Sequence, residues 1–327
     1  METKLGITAA LAFAIAGSMH VQADENLWMY AKGTDTRPEG SWEFKLSDIY
    51  RGDKGSGQYS FHDIRPELEY GITDKWTVGA ELLVFHHNYS VDDTDLQPMY
   101  DTQGGTQEGR FRETQIGGFE LSTKYNILSP YKDPIGLSVG FSYEHRRAYR
   151  LDGARIDQDS FVPQVFLQKN FIDNTLVLAF AGKMELERRK SGTVLEEEIA
   201  FDLAAGISYR VAPKWFIGFE ARYQSDFLNP QDTAEAGNPG FDAQGFEEGV
   251  GRSSWDLSDM RLGGQFQYGT YIGPSIHYAE KDWWVTASIL FQVKGGGNEG
   301  RNPTISGSKV YDEHERIHAG VTVGFEF

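Results

Sequence analysis

Charged side chains of both signs recur at every second position along most of the chain. Taken run by run, one set of alternate positions holds Glu43 and Lys45, then Arg65, Glu67 and Glu69, then Glu81. Glu120 and Lys124 follow, then Glu144 and Arg146, then Lys183, Glu185, Glu187 and Arg189. Glu198, Asp202, Arg210, Glu220, Arg222, His277, Lys294, His318 and Glu326 complete the set. Charges of both signs on one face suit a polar conduit, because rings of charge select ions and solutes. They equally suit a ladder of ion pairs that fills a narrow interior. Covalent chemistry is poorly served. There is no Gly-x-Ser-x-Gly turn and no His pair at zinc-helix spacing. His86 and His87 are neighbours, and in a strand they point to opposite faces. Asp93-Thr94-Asp95 lacks the Gly and distant Glu of a calcium loop, so solvated loop charge is its expected role. No cofactor and no metal are expected, and the chain does not read as an enzyme.

The elements that must position these charges are strands. Period-two alternation runs through residues 41–50, 59–70, 76–89, 115–126, 135–147, 160–171, 175–189, 197–210, 215–225, 265–279, 283–294 and 316–327. Their connectors alternate in length. Short ones span 72–75, 127–134, 172–174, 211–214 and 280–282; long polar ones span 51–58, 90–114, 148–159, 190–196, 226–264 and 295–315. Tight turns at one end and long loops at the other describe a transmembrane antiparallel β-barrel of about 12 strands, with short periplasmic turns and long extracellular loops. The even strand count leaves both termini on the short-turn side. The longest loops are acidic, and one is expected to fold inward and constrict the lumen.

Strand faces follow from charge. In 215–225, Trp215, Ile217, Phe219, Ala221 and Tyr223 alternate with Phe216, Gly218, Glu220, Arg222 and Gln224. An Arg at the bilayer midplane costs about 2–4 kcal/mol, so the charged face must point inward. A soluble β-sandwich would invert this arrangement. Against it, Tyr70, Trp76, Tyr125, Phe171, Tyr209, Trp215, Tyr278, Trp283 and Phe327 gather at the short-turn ends, as a membrane interface favours. The polar face is rich in Gly and Ser, which a crowded interior needs. Pro66, Pro163 and Pro274 fall inside strands, where local bulges are expected.

The ends complete the picture. Lys4, an apolar run over 5–16 and small residues at Val21 and Ala23 read as a signal peptide over 1–23. A short periplasmic segment over 24–39 precedes the barrel over 40–327. No second long apolar run exists, which excludes a helical membrane protein. The 327 residues contain no cysteine, so there are no disulfides. A formal charge of −17 argues against nucleic acid as a partner. The expected partners are outer-membrane lipid and lipopolysaccharide, the barrel-assembly machinery through the final strand ending in Phe327, and a small solute. The expected location is the Gram-negative outer membrane.

The stretch from Glu25-Asn26-Leu27-Trp28 through Gly79 also carries a resemblance. Tyr30-Ala31-Lys32-Gly33, Pro38-Glu39-Gly40-Ser41-Trp42-Glu43, Arg51-Gly52-Asp53-Lys54-Gly55 and the run Pro66-Glu67-Leu68-Glu69-Tyr70-Gly71-Ile72-Thr73-Asp74-Lys75-Trp76-Thr77-Val78-Gly79 carry it. Together they resemble an uncharacterised family of proteobacterial outer-membrane barrels, known as a domain of unknown function. The Glu-Tyr-Gly-Ile-Thr-Asp-Lys-Trp turn is more remotely similar to barrels grouped with aromatic-compound degradation. The resemblance implies fold and location and supplies no site residues. The leading functional expectation is a channel or transporter for small solutes. A structural or assembly barrel with a plugged lumen comes second, and a lipid-modifying enzyme third.

Overall fold

The computed structural model describes residues 26–54, 57–90, 111–191, 194–228, 265–297, 309 and 314–327. Twelve strands form it: β1 Trp42–Gly52, β2 Gln58–Thr73, β3 Trp76–Ser90, β4 Phe111–Leu128, β5 Gly136–Ala148, β6 Arg155–Phe171, β7 Leu176–Ser191, β8 Val194–Ala212, β9 Trp215–Leu228, β10 Gln265–Ala279, β11 Trp283–Gly297 and β12 Ile317–Glu326. Each pairs antiparallel with its sequence neighbours, and β1 closes on β12 from Glu43↔Glu326 to Gly52↔Ile317. A closed antiparallel barrel leaves no unpaired edge, so every strand finds its backbone partners within the wall.

Several strands outrun the alternating stretches at their long-loop ends. β1 reaches Gly52, β4 begins at Phe111 and β6 begins at Arg155. The signal peptide over 1–23 and the acidic segments around Asp93 and Asp95 and over 229–264 lie outside the described residues.

The outer wall carries the exposed apolar side chains. Phe44 and Leu46 on β1, Ile207 and Tyr209 on β8, Ile217 and Phe219 on β9, and Val321 and Phe325 on β12 are all exposed. A continuous surface of this kind is stable only against hydrocarbon. At its short-turn rim the aromatic rings pair across strands. Trp42 meets Tyr70 at 4.5 Å between centroids, Trp215 meets Tyr278 at 4.7 Å, and Tyr278 meets Trp283 at 5.4 Å.

The prolines correct an expectation. No bulge forms at Pro66, Pro163 or Pro274. The ladder skips two pairs on one side of each, then resumes in the same register: Ile64↔Val84 to Glu67↔Glu81, Phe161↔Leu186 to Gln164↔Lys183, and Ile272↔Phe291 to Ser275↔Ser288. On the opposite side the pairing is unbroken, as at Leu46↔Pro66, Phe141↔Pro163 and Pro274↔Phe219. A strand residue directs its N–H and C=O to one neighbour only, so a proline interrupts one ladder and spares the other. The register shifts fall elsewhere, for example between Leu83 and Val84 opposite Gly118. Gly118 has φ +151°, and a Cβ there would collide with the carbonyl of His145.

Candidate functional site

The lumen is the site, and its floor is the chain's own N-terminal segment. Residues 26–40 lie inside the wall and contact strands around most of it. The carbonyl of Asn26 accepts from Thr286 on β11 at 2.5 Å. Trp28 Nε1 donates to the carbonyl of Ile207 on β8 at 3.2 Å. Thr34 N donates to Gln168 Oε1 on β6 at 2.8 Å, and its carbonyl accepts from Asn126 Nδ2 on β4 at 2.9 Å. Arg37 N donates to Thr77 Oγ1 on β3 at 2.7 Å, and Gly40 N to the carbonyl of Gly71 on β2 at 2.9 Å. The segment therefore wraps the inside of nearly the whole wall.

Packing and one carboxylate fix it. Leu27, Trp28 and Ala31 are buried in a cluster with Val177, Ala179, Ala204 and Phe216, all on the inward face. Burying one Trp removes about 150–250 Å² from water, worth about 4–6 kcal/mol at 25 cal/mol per Å². Glycines make room for it. A Cβ at Gly206 would overlap the Trp28 ring, and one at Gly218 would sit 3.1 Å from its Nε1. The fully buried Glu220 accepts three successive backbone N–H bonds, from Met29 at 3.3 Å and from Tyr30 and Ala31 at 2.6 Å each. Three convergent donors are what a buried carboxylate requires in place of water. Arg222 lies over the Tyr30 ring at 3.5 Å, and burial pushes the Tyr30 phenol above its ordinary range.

Above this floor lies a cavity of about 350 Å³. Of the sequence-expected residues, Lys45, Arg65, Glu67, Glu69, Glu81, Glu120, Lys124, Glu144, Arg146, Lys183, Glu185, Glu187, Arg189, Glu198, Asp202 and Arg222 line it, whereas Lys294, beyond the register shift between Thr270 and Tyr271, is exposed rather than inward. Five are engaged at the floor instead, and His318 lies near the long-loop end of β12, opposite Arg51. Glu43 accepts from Trp284 at 2.6 Å and faces Arg37, Glu326 pairs with Arg37 at 3.0 Å, and Glu220 holds the segment. His277 lies against Thr286 at 2.7 Å, Arg210 lies over the Phe216 ring, and His318 stacks on Tyr271 at 4.2 Å.

Register sets the charge pattern. Glu67 faces Glu81, Glu81 faces Glu120 and Glu120 faces Glu144, a row of four carboxylates across β2 to β5. Like charges placed directly opposite destabilise a sheet, so the row needs a shared cation. Arg65 supplies it, 2.6 Å from Glu81 and 3.5 Å from both Glu120 and Glu144, while gripping Asp63 at 2.8 and 2.9 Å. Lys45 bridges Glu67 at 2.9 Å and Glu69 at 2.6 Å, and Arg146 pairs with Glu144 and Glu185. Arg222 holds Asp202 through two bonds, of 2.9 and 2.8 Å.

Three lumen cations escaped sequence reasoning, Lys32 on the N-terminal segment, Arg51 and Arg150. Arg51 falls beyond the alternating run, yet β1 continues to Gly52 and keeps odd positions inward; that parity was the available signal. Arg150 sits in the loop after β5, which folds inward over residues 149–154. Tyr59 donates to the carbonyl of Leu151 at 2.8 Å, Tyr89 to that of Asp152 at 3.0 Å, and His87 Nε2 meets that of Arg150 at 3.0 Å. An inward loop was expected from the longest connectors, which lie outside the described residues; the one seen here is short. Among the described residues, no cluster of three or more His, Asp or Glu side chains is placed to hold a metal ion.

A model described as "Family of unknown function (DUF6662)" matches residues 20–327. No curated protein matches the chain. Among solved structures, an outer membrane channel from Pseudomonas putida F1 is similar, with a TM-score of 0.56 at 10% identity over 90% of this chain and 98% of that one. The KdgM porin in complex with disordered oligogalacturonate gives 0.43 at 11% identity over 88% and 99%. The TodX monoaromatic hydrocarbon channel deltaS2 mutant gives 0.38 at 10% over 90% and 92%. At 10% identity the likeness to the Pseudomonas putida channel is one of fold, that of an outer-membrane β-barrel. The chain belongs to the DUF6662 family.

Proposed function

We propose that this DUF6662 protein is an outer-membrane channel that passes small solutes without covalent chemistry. The observation that carries the reading is the charged cavity of about 350 Å³ inside a closed wall, roofed by residues 149–154 and floored by residues 26–40. A space of that size sits at the low end of small-molecule sites, so the solute is of metabolite size. The apolar exterior and the aromatic rim support an outer-membrane location. Planar-bilayer recording tests the reading, with pore size judged by polymer exclusion. Small, discrete conductance steps are the expected result, and their absence from heat-modifiable, correctly folded protein would sink it.

A second reading is favoured by the seating of the N-terminal segment. A lumen that stays plugged would suit a structural or assembly barrel. Deleting residues 26–38 separates the two. A channel with a constricting segment conducts before the deletion and more strongly after it, whereas a plugged barrel conducts only after it.

A further inference from the structure

Twelve carboxylates and ten Lys or Arg side chains line the cavity, several acids sharing one cation, yet Arg51 holds none of them. Arg51 lines the cavity and is 8% exposed. Among the described residues its side chain has no hydrogen bond or ion pair, and its buried Nε has no acceptor. The carboxylates within its electrostatic reach include Asp63, Asp202 and Glu315. Each already has its own cation: Arg65 on Asp63, Arg222 on Asp202, and Lys54 on Glu315 at 3.1 Å with His318 at 3.4 Å. Burying an ionised group without a partner is costly, so a fold that keeps one aimed into a cavity implies an occupant.

Arg150 lines the same space. Its Nε also lacks an acceptor, and its nearest ion pair is a loose 3.8 Å contact to Glu144, which Arg146 already holds. Burial, then the charges of Arg146 and Arg51, push the Arg150 guanidinium below its ordinary value. The inward loop that carries Arg150 is pinned by Tyr59, Tyr89 and His87, so this convergence is built into the fold.

We propose that Arg51 and Arg150 form an anion-binding constriction that takes the oxyanion head of a small carboxylate solute. The proposal rests on the channel reading and names the solute class for the same lumen. A planar guanidinium matches a carboxylate with two parallel bonds, and a second guanidinium in the same cavity completes the charge. The selectivity is local: the cavity as a whole holds twelve carboxylates to ten Lys or Arg side chains, most of the acids already held by a cation, so the two guanidiniums set the sign only at the constriction they form.

The test uses the full-length folded protein and R51Q, which removes an unpaired buried charge and so should fold with unchanged heat modifiability. In bilayers under a potassium chloride gradient, the wild type should prefer chloride, and R51Q should lose that preference. Acetate should block the wild type, isosteric neutral acetamide should not, and R51Q should need about tenfold more acetate, the loss of one charge-assisted contact. Inorganic phosphate is the parallel arm, and blocking by phosphate alone would overturn the carboxylate assignment. Cation preference in the wild type, or equal acetate block in R51Q, would overturn the site. Acetate-dependent thermal stabilisation in detergent keeps the two readings apart. If neither protein conducts but acetate stabilises only the wild type, the channel reading fails and the site stands. If acetate stabilises neither or both, the site fails whatever the conductance.

Discussion

Glu220→Gln isolates the carboxylate that seats the N-terminal segment. In the wild type its oxygens accept the N–H groups of Met29, Tyr30 and Ala31 at 3.3, 2.6 and 2.6 Å. A charge-assisted bond contributes about 1.5–3 kcal/mol and a neutral one about 0.5–1.5. The glutamine keeps one oxygen for Tyr30 and Ala31 at neutral strength and turns an amide toward the N–H of Met29. Against this, it relieves the desolvation of a fully buried charge. The net expectation is about 2–3 kcal/mol of lost seating, which raises the unseated population roughly 30- to 150-fold. The chain has no cysteine, so Ala31→Cys, at a fully buried position, gives a single reporter. Where opening is fast relative to reaction, maleimide labelling tracks that population. Ser47→Cys, on the β1 wall of the cavity, serves as control and should label equally in both backgrounds. Equal labelling of Ala31→Cys with and without Glu220→Gln would show that the carboxylate does not hold the segment.

Gly206→Val should release the segment by a route that leaves charge untouched, since its side chain must displace Trp28; higher Ala31→Cys labelling checks this. Phe219→Arg places a guanidinium on an exposed apolar position of β9 and should cost about 2–4 kcal/mol in a urea titration in lipid, with no such loss expected if that face met water. Arg65→Gln leaves Asp63, Glu81, Glu120 and Glu144 without their shared cation. Breaking such a group costs about 3–5 kcal/mol when dry, and water in the cavity should reduce the loss. The urea midpoint should fall, and any conductance should shift toward cations.

How much of this was legible in the sequence depends on the range of the interaction involved. The wall was legible because period-two alternation is local: Phe325 and Glu326 are neighbours, and the bilayer sorts them to opposite faces whatever lies across the barrel. Which charges share a level was not, since the row Glu67, Glu81, Glu120 and Glu144 exists only once three registers are set, and each register depends on turn geometry and bulges. The prolines make the same point from the other side. A proline inside a strand signals disruption locally, but whether it bulges depends on which neighbour its missing N–H would have faced.

The floor of the lumen was the deepest omission, although its signals are present. A purely water-filled interior has no use for Val177, Ala179 and Ala204 on the inward face near the short turns, nor for Gly206 and Gly218 set diagonally across β8 and β9. Those residues make sense only as a seat, and a seat needs an occupant some 180 residues away in sequence: Trp28 donates to Ile207 across a separation of 179, and the Tyr30 N–H reaches Glu220 across 190. Alternation assigns a residue to a face but says nothing about what that face touches. The same limit hid Arg51 and Arg150, whose meaning comes from the partners their neighbours have already taken. In a barrel of this width the wall is therefore encoded locally, while the size and charge of the passage are set by what the chain folds into its own interior.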